Sequence, residues 1–384
     1  MDFNLTEEQL MIQKAAREFA QQQCLPGVIE RDEHQKVPKE QLLQLAQLGF
    51  MGMMTDPNYG GAGMDTISYV LAMEEISKVD SSVSVAMSVN NSLVCWGLEH
   101  FGNEEQKKKY LVPLAQGMKD NELYIGAFLL SEPEAGSDAT HQHTSAVDNG
   151  DYYVINGVKN WITNGSTANV YLVIAQTDYS KGHKGINAFI VEKNTPGITV
   201  GPKENKMGIR GSDTHAISFL DVKVPKENRI GAEGFGFNFA MKTLNGGRIG
   251  IAAQALGIAS GAYELALAYS KERKTFGKPI HEHQAIQFKL AEMATKIETA
   301  RLLCFKAAWE KDNHLDYTTT AAMAKLHASD TAMWAATEAV QIHGGYGFVK
   351  EFHVERLMRD AKITQIYEGT SEIQKMVIGR SITR

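Results

Sequence analysis

The chain has 384 residues, of which 43% are hydrophobic and 22% charged, with a net charge of −6. That composition is globular and excludes global disorder, and the length corresponds to two or three domains. The mild acidity argues against a binder that tracks nucleic-acid phosphates.

Residues 1–120 read as helical. Thr6 is an N-cap with Gln9 three residues on, a capping box, and Leu5 and Leu10 flank it as a hydrophobic staple. Glu7 and Glu8 suit the positive end of the helix dipole, and Ile12, Ala15, Ala16 and Phe19 form one apolar stripe. A loop covers 56–63, and helices are expected near 65–79 and 81–100. Residues 121–230 read as β structure. The pattern predicts a hairpin over 152–163 turning at Asn156-Gly157, then strands at Val170–Ala175, Ile186–Val191 and Ile217–Val224. Strands at this spacing suggest a small antiparallel barrel or sandwich. Residues 231–384 return to helix, and only Pro279 lies beyond Pro225. Proline costs a helix interior about 3 kcal/mol, so this stretch is free to be helical. Ile286, Leu290, Met293, Ile297, Ala300, Cys304 and Ala307 form a heptad seam that predicts close packing of long helices. Further helices are expected over 318–342 and 353–364, with a last one starting at Thr370 or Ser371.

Three cysteines (Cys24, Cys95 and Cys304) without C-x-x-C spacing indicate a reducing compartment and no zinc site. No apolar run approaches the ~20 residues of a membrane span. The start, Met1-Asp2-Phe3-Asn4, resembles neither a secretory signal nor an Arg-rich transit peptide. The expected location is the cytoplasm of a bacterium, or the mitochondrial matrix if this is a processed chain. There is no G-x-G-x-x-G, P-loop, H-E-x-x-H or G-x-S-x-G motif. The pairs His141/His143 and His281/His283 read as ordinary histidines, since i and i+2 on a helix do not converge on one metal.

Four stretches carry more. SEPEAGSD at 131–138 gathers hydroxyls, small residues and amides in one loop, able to donate to an anion or polar ring, though on its own it reads as a turn. Trp161 and Thr163 share a strand face, where a core tryptophan is the plain reading. Gln341 to Phe348 ends a helix in Gly344, Gly345 and Gly347, either as a C-cap or as a close approach to phosphate. Glu368 sits on the break between two helices, where a lone glutamate would be a dipole-stabilising surface residue.

Together and in this order, these motifs resemble the acyl-CoA dehydrogenase family, specifically its short-chain (butyryl-CoA) branch. The likeness rests on 131–138, the run from Gln341 to Asp360, IYEGTSEIQ at 366–374, and the stretch from Arg273 to Pro279. It implies an N-terminal helical domain (1–120), a central β domain (121–230) and a C-terminal four-helix bundle (231–384). It also implies FAD, a homotetramer, and electron-transfer flavoprotein as acceptor, with no nucleic acid, membrane span or metal. By resemblance, Phe128, Leu130, Ser131, Gly136 and Ser137 line the flavin, and Trp161, Ile162 and Thr163 cover its other side. Arg273, Phe276, His283 and Gln284 would reach a neighbouring subunit's FAD. Gln341, Gly344 and Gly345 would hold the adenosine pyrophosphate end, with Thr370 and Glu372 also touching FAD. Ser137, Asn245, Arg248, Tyr367 and Gly369 would meet substrate.

The implied reaction is α,β-dehydrogenation of an acyl-CoA to the trans-2-enoyl-CoA, with Glu368 removing the α-proton and the β-hydride passing to flavin N5. A subgroup of the family, which includes isovaleryl-CoA dehydrogenases, carries its base at the position matching Gly247, where this chain has no side chain. Ser131 stands where many members have Thr, and Asn245 where Asp is common. Other readings are the same chemistry on a branched or medium-chain acyl-CoA, crotonyl-CoA reduction in an anaerobe, a flavin monooxygenase of the same fold, or a non-catalytic acyl-CoA-binding scaffold.

Overall fold

The computed structural model describes residues 4–383, so the expectation about residues 1–3 lies outside the described residues. The first helix, α1 (Glu7–Phe19), carries the capping box the sequence predicts: Gln9 N–H donates to Thr6 Oγ1 at 3.2 Å and Thr6 N–H to Gln9 Oε1 at 3.0 Å. Two buried helices follow, α2 (Thr66–Ser77) and α3 (Ser81–Ser88), the latter running on through π and α turns to Phe101. Asp65 and Asp80 cap them with their carboxylates.

The middle of the chain forms one eight-stranded sheet: β1 (Gly126–Leu129), β2 (Ser145–Asp148), β3 (Tyr152–Thr163), β4 (Val170–Gln176), β5 (Ile186–Glu192), β6 (Ile198–Lys203), β7 (Thr214–Pro225) and β8 (Arg229–Ile230). Its order is β8-β5-β4-β2-β3-β7-β6, with β1 beside β4. Pairing is antiparallel except where β1 and the first residue of β2 meet β4 in parallel. β4 is buried on both faces. Tyr171 and Val173 face the core within the β unit, while Val170, Leu172 and Ile174 pack with Phe239 and Ala240 of the following helix. That second contact sets the sheet against the C-terminal helices.

The hairpin expected over 152–163 is not formed. β3 is a single 12-residue strand, and Asn156-Gly157 makes a bulge in its pairing with β7. Asn156 exchanges hydrogen bonds with Asp221 across the ladder (3.1 and 2.8 Å), which satisfies the polar groups a turn would have used. Gly157, at φ +147, passes Thr144 so closely that a Cβ would meet its Cα at 2.6 Å. The same dipeptide serves a bulge as well as a turn because both need glycine's backbone freedom.

The C-terminal part holds three long helices, α4 (Gly236–Glu272), α5 (Gln284–Asp312) and α6 (Thr318–His343), with α7 (His353–Ile363) and α8 (Ser371–Ile382) against α6. The α5 seam is buried from Leu290 to Ala307, with Ile286 at its edge. Contrary to the expectation that no stretch reaches membrane-span length, α4 is long and apolar enough to cross a membrane, but 72% of that stretch is buried inside the protein, so it reads as a core helix. Its glycines admit neighbours: a Cβ at Gly257 would meet Glu74 O of α2 at 2.4 Å, and one at Gly261 would meet Lys78 O at 2.5 Å. Cys24, Cys95 and Cys304 are buried and unbridged.

Candidate active site

Six residues separate the last turn of α7, at Thr364, from the first residue of α8, and Glu368 lies in that break. Its backbone is left-handed at φ +52, a conformation that costs a non-glycine residue about 1–2 kcal/mol. The turn is held by more than one bond. Gln374 Nε2 donates to the carbonyls of Glu368 (3.2 Å) and Gly369 (2.9 Å), and Lys325 Nζ donates to Gly369 O at 2.7 Å. Thr370 caps α8, accepting from Ile373 N–H. Tyr367 is tied through its hydroxyl to Gln254.

This turn aims the Glu368 carboxylate at α4. Oε2 lies where a side chain at Gly247 would stand, only 2.0 Å from an ideal Cβ there, and among the described residues it has no hydrogen-bond partner. Burial pushes its pKa up to about 7, against the opposing charges of Lys325 and Arg248. An ionisable group with raised proton affinity and an unbonded oxygen, facing a cavity, has the properties a general base needs near neutral pH. The surface role that a lone glutamate at a helix start suggests is therefore overturned.

The cavity it faces has a volume of ≈650 Å³, within the range of small-molecule sites. Phe128, Leu130, Trp161, Ile162, Met241 and Leu244 give it apolar walls, and Ser131, Ser137 and Thr163 supply hydroxyls. Gly136, Arg248, Tyr367 and Gly369 also line it. Thus 12 of the residues singled out in the sequence converge here from β1, the loop after it, the end of β3, α4 and the Glu368 turn. Trp161 is not the core residue its strand position suggests. It sits at φ +56 on a second bulge and is 55% exposed, presenting its ring to the cavity. An exposed aromatic face at a strained position suits stacking on a planar ligand.

Asn245 does not line the cavity but orients a residue that does: Arg248 NH1 donates to Asn245 Oδ1 at 2.6 Å, and Asn245 Nδ2 to Thr318 Oγ1 at 3.2 Å. Arg273, Gly344 and Gly345 line a separate cleft of ≈540 Å³ with Tyr269, His343 and Tyr346. Gly344 ends α6 at φ +61, and a Cβ on Gly345 would meet open space. Phe276, 96% exposed, tops the small ribbon 274–279 with its ring edge-on to His283. Gln284 opens α5, and Gln341 lies exposed in the last turn of α6. Glu372 is exposed on the first turn of α8. His281 and His283 lie before α5 and not on it, next to the carbonyls of Ser270 and Thr275 respectively.

Two residues of the site do not stand out in the sequence reading. Lys325 is one. Lys159 is the other: it is fully buried under the 131–138 loop and donates to Leu130 O (3.0 Å), Glu132 Oε1 (2.7 Å) and Gln142. Glu132 in turn accepts from the N–H groups of His143 and Thr144. This buried pair fixes both ends of the loop that carries Ser131 and Ser137. Lys159 stands at the inward parity of Tyr153 and Ile155, and a lysine at a core-facing strand position is the signal that could have found it. Lys159→Met leaves Glu132 charged and unpaired inside the fold, so it should cost about 3–5 kcal/mol. The shift in the urea midpoint checks this, and Ser131→Ala is expected to move it far less.

Comparison with known proteins matches three family models along the chain: "Acyl-CoA dehydrogenase, N-terminal domain" at residues 6–118, the middle domain at 127–222 and the C-terminal domain at 234–383. The short-chain specific acyl-CoA dehydrogenase of Clostridium acetobutylicum is 52% identical, with all of both chains covered. The structure of butyryl-CoA dehydrogenase from Megasphaera elsdenii superposes with a TM-score of 0.97 at 51% identity, covering 100% of each chain. A chain in a structure described as the electron transferring flavoprotein of Acidaminococcus fermentans gives 0.98 at 51% identity, again over all of both chains.

Proposed function

Because the chain belongs to the acyl-CoA dehydrogenase family, we propose that it is an FAD-dependent enzyme that dehydrogenates short-chain acyl-CoA of the butyryl class to the trans-2-enoyl-CoA, with Glu368 as the α-proton base. The observation that carries this is the Glu368 carboxylate, with raised proton affinity and an oxygen without a hydrogen-bond partner among the described residues, facing a largely apolar cavity. The residues present fit the cofactor. A flavin ring would be held by the hydroxyls of Ser131, Ser137 and Thr163 between Phe128, Leu130 and the exposed face of Trp161, and Gly136 leaves room for close approach. FAD supplies the acceptor for the β-hydrogen when bound. Arg273, Gly344 and Gly345, which share the second cleft, are proposed to serve its phosphate end. A guanidinium beside glycine backbone suits an anion of that kind. Phe276, His283, Gln284, Gln341, Thr370 and Glu372 are proposed cofactor contacts on family likeness alone.

The chain's own groups do the proton chemistry. Glu368 takes the α-proton, and its fixed turn keeps the carboxylate in one place while the proton leaves. Arg248 and Asn245 are proposed to face the CoA arm. Behind the base, Tyr367 is bonded to Gln254, and Gln254 to Ser81 O and Ser84. This polar network anchors Tyr367, which lines the cavity, and a fixed tyrosine there supports a short acyl group. A pKa near 7 leaves both forms of Glu368 populated at neutral pH, so the same site can run in reverse, protonating a 2-enoyl-CoA. Electron-transfer flavoprotein as partner is supported by the likeness to the Acidaminococcus fermentans structure. A homotetramer, a cytoplasmic location and the division into 1–120, 121–230 and 231–384 belong to the same proposal. The change of element type at those junctions supports the division.

The test is optical. The purified protein should be yellow, and anaerobic butyryl-CoA should bleach its flavin band. A colourless protein that takes up no FAD sinks the assignment. Ranking kcat/KM over C4, C6 and C8 acyl-CoAs tests the chain length, and a maximum at C8 refutes the short-chain reading.

A further inference from the structure

Lys325 lies on α6 among small apolar neighbours: Ala321, Ala322, Ala324 and Ala328 are all buried. Its side chain is buried as completely as theirs. An ammonium in such surroundings is costly unless it is engaged, and the long aliphatic stem alone would not require a charge at its end. The charge is directed at one place. Nζ donates at 2.7 Å to the carbonyl of Gly369, the residue after Glu368 in the left-handed turn. That carbonyl also accepts from Gln374, so the turn is gripped from two helices, α6 and α8.

We propose that Lys325 is a positioning residue for Glu368: its ammonium pins the Glu368–Gly369 turn and so holds the carboxylate toward Gly247. The proposal rests on the reading of Glu368 as the base. Other charged and titratable groups share the neighbourhood. Arg248 faces Glu368 from α4, and Tyr69 from α2; Asp330 on α6 and Glu372 on α8 act on Lys325. Arg248 is the other cation beside the carboxylate, but its guanidinium is already bonded to Asn245. Of the two, Lys325 opposes the effect of burial on Glu368 more strongly. Burial lowers the pKa of Lys325 itself to about 8, so the charge is present at neutral pH.

Two variants separate grip from charge. Lys325→Met removes both, whereas Lys325→Gln removes the charge and keeps an N–H donor directed at Gly369 O on a stem one atom shorter. The FAD-loaded enzymes are mixed anaerobically with butyryl-CoA across pH, and flavin bleaching is followed by stopped flow, with FAD content and crotonyl-CoA affinity measured alongside. Both variants should keep FAD and bind crotonyl-CoA within about threefold of the parent. In both, the acid limb of the rate profile should move up by about one pH unit or more, as expected when an opposite charge is withdrawn from a carboxylate. Lys325→Met should also lower the plateau rate at least about tenfold, and Lys325→Gln less, because misplacing a base by a fraction of an ångström is costly.

An acid limb unmoved in both variants overturns the proposal. Loss of FAD or of soluble protein in both makes the lysine merely structural and overturns it equally. Glu368→Gln measured in parallel keeps the two readings apart. Turnover in that variant sinks the base assignment, whereas an inactive Glu368→Gln beside unshifted Lys325 variants sinks only the positioning role.

Discussion

Glu368→Gln should load with FAD and bind acyl-CoA, yet lose turnover by about 10²–10⁴-fold, the range attributed to a positioned general base. The substitution keeps the shape of the side chain. It also keeps the turn, whose left-handed backbone is held by Gln374 and Lys325 through main-chain carbonyls and not through the carboxylate. What it removes is the oxygen that can accept the α-proton. Binding and chemistry are therefore separable here, and near-normal turnover in the variant would show that the base lies elsewhere. The parent enzyme should show the same dependence as a pH effect. The pKa of Glu368 is pushed up to about 7, so the base form is lost as pH falls, and the rate should drop about tenfold per pH unit well below that value. The acid limb should be absent from whatever residual rate Glu368→Gln retains. The linkage to stability has the opposite sense. Between the ordinary glutamate value of 4.5 and about 7, the folded protein holds a proton that the unfolded chain releases. Glu368 therefore makes stability fall as pH rises through that window.

How much of this was legible beforehand depended on whether the signal was local. The capping box at Thr6, the α5 seam and the Thr370 cap follow from neighbouring residues and stand as read. The failures lie where a distant segment decides. Asn156-Gly157 reads as a turn until Asp221 and Thr144 approach it from other strands. Trp161 reads as core because nothing local reveals the bulge that turns it outward. Each glycine of α4 costs about 1 kcal/mol relative to alanine in a helix interior. They are tolerated in a 37-residue helix because α2 and the base turn come in against them. Lys159 and Lys325 look like surface residues, since a buried lysine is recognised only by the partner it finds. The cavity residues are legible only through family likeness. The residues themselves gave chemistry without convergence, and convergence is what the fold supplies.

The second large effect should come from a position that has no side chain. Gly247→Ala is expected to leave folding almost unchanged while lowering turnover by at least about 10²-fold, the loss that follows a misplacement of roughly 1 Å. On helix propensity alone the change is favourable, by about 1 kcal/mol in a helix interior. The new methyl, however, would stand 2.0 Å from Glu368 Oε2 and 2.8 Å from Leu93 Cδ2. Both are ends of flexible side chains, so the conflict is relieved by moving them and not by opening the helix. The carboxylate must leave the place its turn prepares, and the cavity narrows at the same point. Thermal unfolding should therefore differ little from the parent, and FAD content should be unchanged. The kcat for butyryl-CoA should fall far more than KM rises, because the proton-abstracting group is displaced while most of the binding surface stays intact. Gly246→Ala is the internal control. It sits one residue earlier on the same helix, and the nearest atom to its added methyl would be Ser92 O at 3.8 Å, ordinary contact. If both variants lose activity alike, the effect belongs to the helix; if only Gly247→Ala does, the absence of a side chain at 247 is what gives the base its room.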